Sequence, residues 1–275
     1  MYYRHNLDYT YPERSDGHML VLKPTKKLKL DREYDYVPRG FWFRVKRALV
    51  AVGLHLVIFP LLRLTHGLKI YGRENLRKHK KEFKNGAITV CNHVFMWDYI
   101  CVLKAVRPHI PYFPAWKNNF ESGFQPLMRI VGGMPIPEGD IHALKKFKEG
   151  MDEVAASKRW LHVFPEGSMW YFYPDIRPLK PSVFTYAVKY GKPLIPLSIS
   201  FRPRKGFLKL FSKSPCADMH IGEPLYADKS LPYREAVEEL RARCYRIMQE
   251  MNGILPGDPT YNEDQNIDNY RKTMG

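Results

Sequence analysis

Apolar positions along the chain divide it into regions with different periodicity. Residues 1–40 are rich in Tyr, Pro and charge and show no apolar period, and "KPTKKLKLDREYDYVPRG" closes on a Pro and a Gly. That pattern predicts a polar, extended segment with loose packing. Next, Phe41, Trp42 and Phe43 stand beside Arg44, Lys46 and Arg47, and an almost purely apolar run follows from Ala48 to Leu62. The membrane–water boundary selects aromatics and cations beside an apolar run, so these six residues are candidate membrane contacts. As a helix, about 15 residues reach roughly 23 Å, short of the roughly 30 Å hydrocarbon core. His55 and Pro60 also argue against a straight crossing. The expectation for 41–75 is an amphipathic helix or broken helical hairpin lying in one leaflet, the alternative being a core helix of a soluble domain.

From residue 86 the period alternates. "AITVCNH", "HIPYFPAW", "GMPIP", "WLHVF", "PLIPLSIS" and "DMHIG" read as strands. Between and after them, "ESGFQPLMRIVG", "DIHALKKFKEGMDEVAASK", "PSVFTYAVKY" closed by Gly191, and "YREAVEELRARCYRIMQEM" read as helices. Such alternation predicts an α/β domain over 76–256 with a mixed, largely parallel sheet flanked by helices, followed by a polar tail at 257–275. Ligand sites in such sheets gather at strand ends.

Length and composition narrow the function. The 275 residues fit one large domain or one domain plus an appendage. Cys91, Cys101, Cys216 and Cys244 lie far apart with no ligand spacing, so neither a metal site nor a disulfide scaffold is expected and a reducing compartment fits. The N-terminus lacks the basic start and apolar core of a signal peptide, so no export is expected. A formal charge of +16 points to acidic partners: anionic lipid, an acidic carrier protein or nucleic acid. No zinc-finger spacing, RRM-like aromatic strand or basic helix repeat supports the last of these, so no nucleic-acid partner is expected.

Two strand ends carry candidate chemistry. His93 and Asp98 stand five positions apart straight after the strand ending near Cys91. A strand–loop–helix turn would let Asp98 accept from one imidazole nitrogen and make the other a base toward an alcohol. Alone, an H-x-x-x-x-D motif is weak. At the second strand end, Phe164, Pro165, Glu166, Gly167 and Ser168 combine a fixed backbone, a carboxylate and a glycine, and read either as a ligand loop or as a strand-terminating turn. Ser168 lacks a G-x-S-x-G elbow, and Cys91 is a poorer nucleophile candidate than His93 is a base.

These blocks, with "GGMPIP" from Gly132 to Pro137 and "YGKPLIPLSI" around Pro193 to Pro196, resemble in order the PlsC-like glycerolipid acyltransferase family, whose members include lysophosphatidic acid acyltransferases. The likeness covers roughly residues 41–225. It implies the glycerolipid acyltransferase fold and general-base catalysis by His93 oriented by Asp98, without an acyl-enzyme. It further implies acyl-CoA or acyl carrier protein as co-substrate rather than any cofactor, a lysolipid acceptor, and membrane lipids as partners at the cytoplasmic face of the cell membrane, peripheral or monotopic. Carried over residue by residue, Lys117, Arg129, Gly133, Phe164, Pro165, Glu166, Gly167, Ser168 and Lys180 become the substrate-binding set. Two family arginines are replaced here by Glu138 and Met169. Either Lys117, Arg129, Arg177 and Lys180 hold the phosphate of 1-acylglycerol-3-phosphate in their stead, or the acceptor is another lipid alcohol, a lyso-aminolipid or a glycolipid, with "MWYFYP" from Met169 as an aromatic wall. Core packing or membrane contact would explain that run equally. A non-enzymatic, basic lipid-binding protein is the competing class, though it would have no use for the His93–Asp98 pair.

Overall fold

The computed structural model describes residues 9–15, 17–20, 25, 27–121 and 125–265; parts of the expected polar N-terminal segment and C-terminal tail lie outside them. The apolar run extends further than its composition suggested, into one continuous helix, Phe41–Thr65. It consists of α1 (Phe41–Gly53), one wide π-helical turn (Leu54–Ile58) and α2 (Phe59–Thr65). No hairpin forms, because the π turn accommodates the proline. Phe59 N–H bonds back five residues to the Leu54 carbonyl, and Pro60 falls in the first turn of α2, where its missing N–H does least harm. His55 also stays within the helix, its Nδ1 2.8 Å from the Ala51 carbonyl.

With 25 residues this helix is long and apolar enough, by length and composition, to cross a bilayer. One side of it, however, is docked on the domain. Leu54, Phe59 and Leu62 are buried in the core, the Arg47 guanidinium donates to the Ile110 carbonyl and lies over the Tyr112 ring, and Lys104 Nζ donates to the Phe59 carbonyl at 3.1 Å. The other side leaves Trp42, Leu49, Val52, Leu56, Val57 and Leu61 exposed.

The chain continues through β1 (Lys69–Tyr71), α3 (Arg73–Lys78), β2 (Ile88–Val90), α4 (Asp98–Ala105), β3 (Phe113–Trp116), α5 (Lys117–Glu121) and α6 (Gln125–Ile130). Then follow β4 (Gly133–Ile136), α7 (Ile141–Ala156), β5 (Leu161–Val163), α8 (Ser182–Tyr190), β6 (Leu194–Arg202), β7 (Cys216–Ile221) and α9 (Tyr233–Met251). Among the described residues the main sheet has the order β1-β7-β6-β2-β5, parallel except between β6 and β7, and β3 and β4 form a separate parallel pair. This is the mixed, largely parallel sheet that alternation predicted. Strand β1 was not expected, since three residues carry no period of their own and its sole sheet neighbour is β7, far along the chain.

Both faces of the sheet are covered, which is why its strands read as continuous apolar runs. Leu62, Val102, Ile195 and Met219 share one apolar layer, and Ile88, Val90, Leu161, Met151, Phe184 and Leu240 share the other. Local signals set the helix ends. The Asp140 side chain accepts from His142 N at 2.8 Å and Ala143 N at 3.3 Å to start α7, and Gly191, with φ of 57°, stops α8.

Candidate active site

Strand β2 lies inside the sheet between β6 and β5, so the loop leaving its C-terminal end has neighbours on both sides. Asn92 fixes that loop to β6: its Oδ1 accepts from Ile199 N at 2.7 Å and its Nδ2 donates to the Ile199 carbonyl at 2.9 Å. His93 follows, and five residues later the chain enters α4 at Asp98. The turn between them brings His93 Nδ1 to 2.5 Å from Asp98 Oδ2. Asp98 is buried and is itself oriented by Val94 N at 3.2 Å and Tyr99 N at 2.7 Å. A carboxylate only accepts, so the proton of the neutral imidazole sits on Nδ1 and the Nε2 lone pair is left for chemistry. The ring is 25 % exposed and stacks on Phe164, with centroids 4.2 Å apart.

The loop after β5 supplies the support. Glu166 is buried, and its Oε2 accepts from His93 N at 2.9 Å and from Arg177 Nη2 at 2.7 Å, while Oε1 accepts from Arg177 N at 2.8 Å. Arg177 is wholly buried and reaches Ser168 Oγ at 3.0 Å, the Ser15 carbonyl at 2.7 Å and the Ser168 carbonyl, with Trp170 under its guanidinium at 4.4 Å. The pair therefore ties the two strand-end loops and the N-terminal segment together. Arg177 was a candidate phosphate ligand in sequence; enclosed like this, its guanidinium cannot meet an acceptor from solvent. Glu166 and Ser168 likewise direct their polar atoms inward.

The remaining candidates fall in two places. Phe164, Pro165, Gly167 and Lys180 share the His93 side: Lys180 N donates to the Pro165 carbonyl at 2.8 Å, and a Cβ on Gly167, where φ is 86°, would come 2.9 Å from Lys180 Nζ. Lys117, Arg129 and Gly133 sit on or beside the β3–β4 unit. Lys117 pairs with Glu121 at 3.2 Å, Arg129 donates to the Asp35 carbonyl at 2.7 Å and lies over Tyr34, and Gly133 is there for packing, since a Cβ would meet the Met128 carbonyl oxygen at 2.7 Å. Glu138, at a family arginine position, accepts from Trp116 Nε1 at 2.7 Å. Phe41, Trp42, Phe43, Arg44, Lys46 and Arg47 all lie on the first turns of α1.

The aromatic run is core at Trp170 and Tyr173 and half-buried at Met169, Tyr171, Phe172 and Pro174. Trp170 and Tyr173 are buried, Trp170 N and Phe172 N donate to the His93 and Val94 carbonyls at 2.9 and 2.7 Å, and Tyr11 from the N-terminal segment stacks on Trp170 at 5.3 Å. Cys91 is buried as well, and burial pushes its thiol well above its usual range, which removes it as a nucleophile at neutral pH. Three contributors escaped notice in sequence: the scaffold role of Arg177, the Asn92 clamp, and His162. The last is fully buried beside Phe164, with Nδ1 2.9 Å from Thr89 Oγ1. Burial, aided by the charge of His93, pushes it down to about 3 and keeps it neutral.

Residues 67–200 match the model of the Acyltransferase family. Among solved structures, the chain resembles the crystal structure of the 1-acyl-sn-glycerophosphate (LPA) acyltransferase, PlsC, from Thermotoga maritima. The TM-score is 0.50 at 20% sequence identity, over 77% of this chain and 84% of that one, a likeness of fold. No curated protein matches the chain.

Proposed function

We propose that this chain, whose residues 67–200 match the model of the Acyltransferase family, moves a fatty acyl group from a thioester carrier, acyl-CoA or acyl carrier protein, to the hydroxyl of a lysolipid at a membrane surface. The observation that carries the proposal is the His93–Asp98 pair at 2.5 Å on a ring that still reaches solvent. In this mechanism Nε2 takes the acceptor's hydroxyl proton as its oxygen attacks the thioester carbonyl. The tetrahedral intermediate then expels the carrier's sulfur, and the imidazolium returns the proton to that thiolate. Asp98 stabilises the imidazolium, and no bond to the enzyme forms.

The surface around the site supports a monotopic attachment; the cytoplasmic face is part of the proposal. The exposed side of the Phe41–Thr65 helix is apolar, and the His66 ring at its end lies 5.9 Å from Phe95 and 6.0 Å from Trp97 in the loop that carries His93. Met96 and Trp97 are themselves exposed. Beside the same helix end, where Arg204 Nη2 donates to the Thr65 carbonyl at 2.7 Å, a short turn exposes Phe207 and Leu210 among Lys205, Lys209 and Lys213. The helix packs on the domain through Leu54, Phe59 and Leu62 in its second half, where lipid cannot then surround it, which favours lying in one leaflet over crossing.

1-Acylglycerol-3-phosphate is the first acceptor proposed, giving phosphatidic acid. The commitment of Arg177 to Glu166 and of Lys117 to Glu121 favours a second reading, a lysolipid whose head carries no phosphate monoester. Transfer of a labelled acyl group to a panel of lysolipids tests activity and acceptor together. His93→Ala should lose about 10²–10⁴ in turnover with melting unchanged. Full turnover in that variant overturns the mechanism.

A further inference from the structure

At the other end of the sheet from His93, a cavity of about 460 Å³ opens between α1 and the start of β5. Four cations line it, Arg44 and Arg47 from the helix and Lys158 and Arg159 from the turn after α7, over a floor that includes Tyr112 and Trp160. Among the described residues no carboxylate lines it. Glu153, which pairs with Arg159 at 3.4 Å, is shared with Arg39 at 2.7 Å, so it leaves the cluster positive. Arg47 is held over Tyr112 at 4.6 Å by its bond to the Ile110 carbonyl, whereas the side chains of Arg44 and Lys158 make no hydrogen bond or ion pair among the described residues.

Four cations around a concave floor, of which only Arg159 has a carboxylate partner among the described residues, favour a multivalent anion with several acceptor oxygens. Trp160 directly precedes β5 whereas Phe164 directly follows it, so about 10 Å of strand separates this cavity from the catalytic loop. The two sites are distinct. Both flank the Phe41–Thr65 helix, one near each of its ends.

We propose that this cavity binds the phosphate of an anionic phospholipid headgroup and so fixes the helix, and with it the His93 mouth, in register with the bilayer surface. Phosphate binding stands on the cavity alone; a lipid as its source rests on the membrane attachment proposed above.

The test uses the full-length chain and monomeric dihexanoyl-phosphatidylglycerol, which is neither substrate nor product of the proposed reaction. In titration calorimetry Arg44→Gln/Lys158→Gln should weaken its binding about tenfold, while Lys145→Gln/Lys148→Gln, which removes the same charge from the exposed side of α7, should change it less than about twofold. Equal losses in the two variants, or none in the first, would overturn the site. Inorganic phosphate competing at the same concentration as the lipid would overturn the lipid as source. Flotation with neutral phosphatidylcholine vesicles reports the helix alone: failure to float there sinks the membrane attachment and leaves the calorimetric result to judge the cavity.

Discussion

Replacing Glu166 by Gln separates a scaffold from a substrate ligand. The substitution keeps the side chain's shape and removes its charge. The three donors that now converge on its two oxygens, Arg177 Nη2 at 2.7 Å, Arg177 N at 2.8 Å and His93 N at 2.9 Å, would then meet one oxygen and one NH2. With the oxygen kept toward Nη2 and His93, the NH2 faces the Arg177 N–H, donor against donor, and a fully buried guanidinium has lost its counterion. Breaking a buried pair costs about 3–5 kcal/mol, and the lost charged hydrogen bonds belong to that same figure. At about 2–4 °C of Tm per kcal/mol for a chain of this size, melting should fall by roughly 10 °C. Because Glu166 holds the backbone of the base, kcat should fall with it and KM should change little. Melting by circular dichroism together with steady-state acyl transfer decides the matter. A Tm within about 2 °C of the parent with a raised KM would refute the scaffold and return Glu166 to the acceptor.

Other expectations follow from burial. Asp98→Asn should lower turnover as His93→Ala does, but unlike it should also lower Tm, because Asp98 receives the Val94 and Tyr99 amides in a buried place; equal Tm in the two variants would contradict the geometry. On the helix, Leu49→Ser/Leu56→Ser should reduce flotation with vesicles about a hundredfold at unchanged Tm, whereas Leu62→Ala, at a buried position, should cost about 2–5 kcal/mol and leave flotation alone. Undiminished flotation of the first variant would assign that face to something other than lipid. His162 is neutral in the folded chain with its value pushed down to about 3, and unfolding frees it to bind a proton below about 6.5. Stability is therefore lost as pH falls from about 6.5 toward 3, by up to about 1.4 kcal/mol per pH unit. His162→Phe should flatten that slope in urea titrations at successive pH values, and an unaltered slope would assign the acid sensitivity elsewhere.

What was legible in sequence was what is local. The spacing of His93 and Asp98 needs only a turn into α4, and the α7 start at Asp140 and α8 stop at Gly191 are written within a few residues of each helix end. Arg177 shows the opposite case. Its partners Ser15, Glu166 and Ser168 come from segments as much as 162 positions away, and no pattern along the chain distinguishes such an arginine from one that waits for a ligand. The helix was expected to break for a related reason: Pro60 argues against continuity, while the hydrogen bonds that carry the helix past it to Thr65 run through a π turn that no composition rule foretells.

The pairing of β1 with β7 alone sets a limit on excision. The family match ends at residue 200, inside β6, and so leaves out β7, the strand that closes one side of β6 and gives β1 its whole place in the sheet. A fragment cut at those bounds would start with an orphan strand and finish with a raw sheet edge, open to pairing with its own copies. The stretch recognisable by homology is thus smaller than the unit able to fold, and expression trials should keep the chain at least from Tyr11, which stacks on Trp170, through α9.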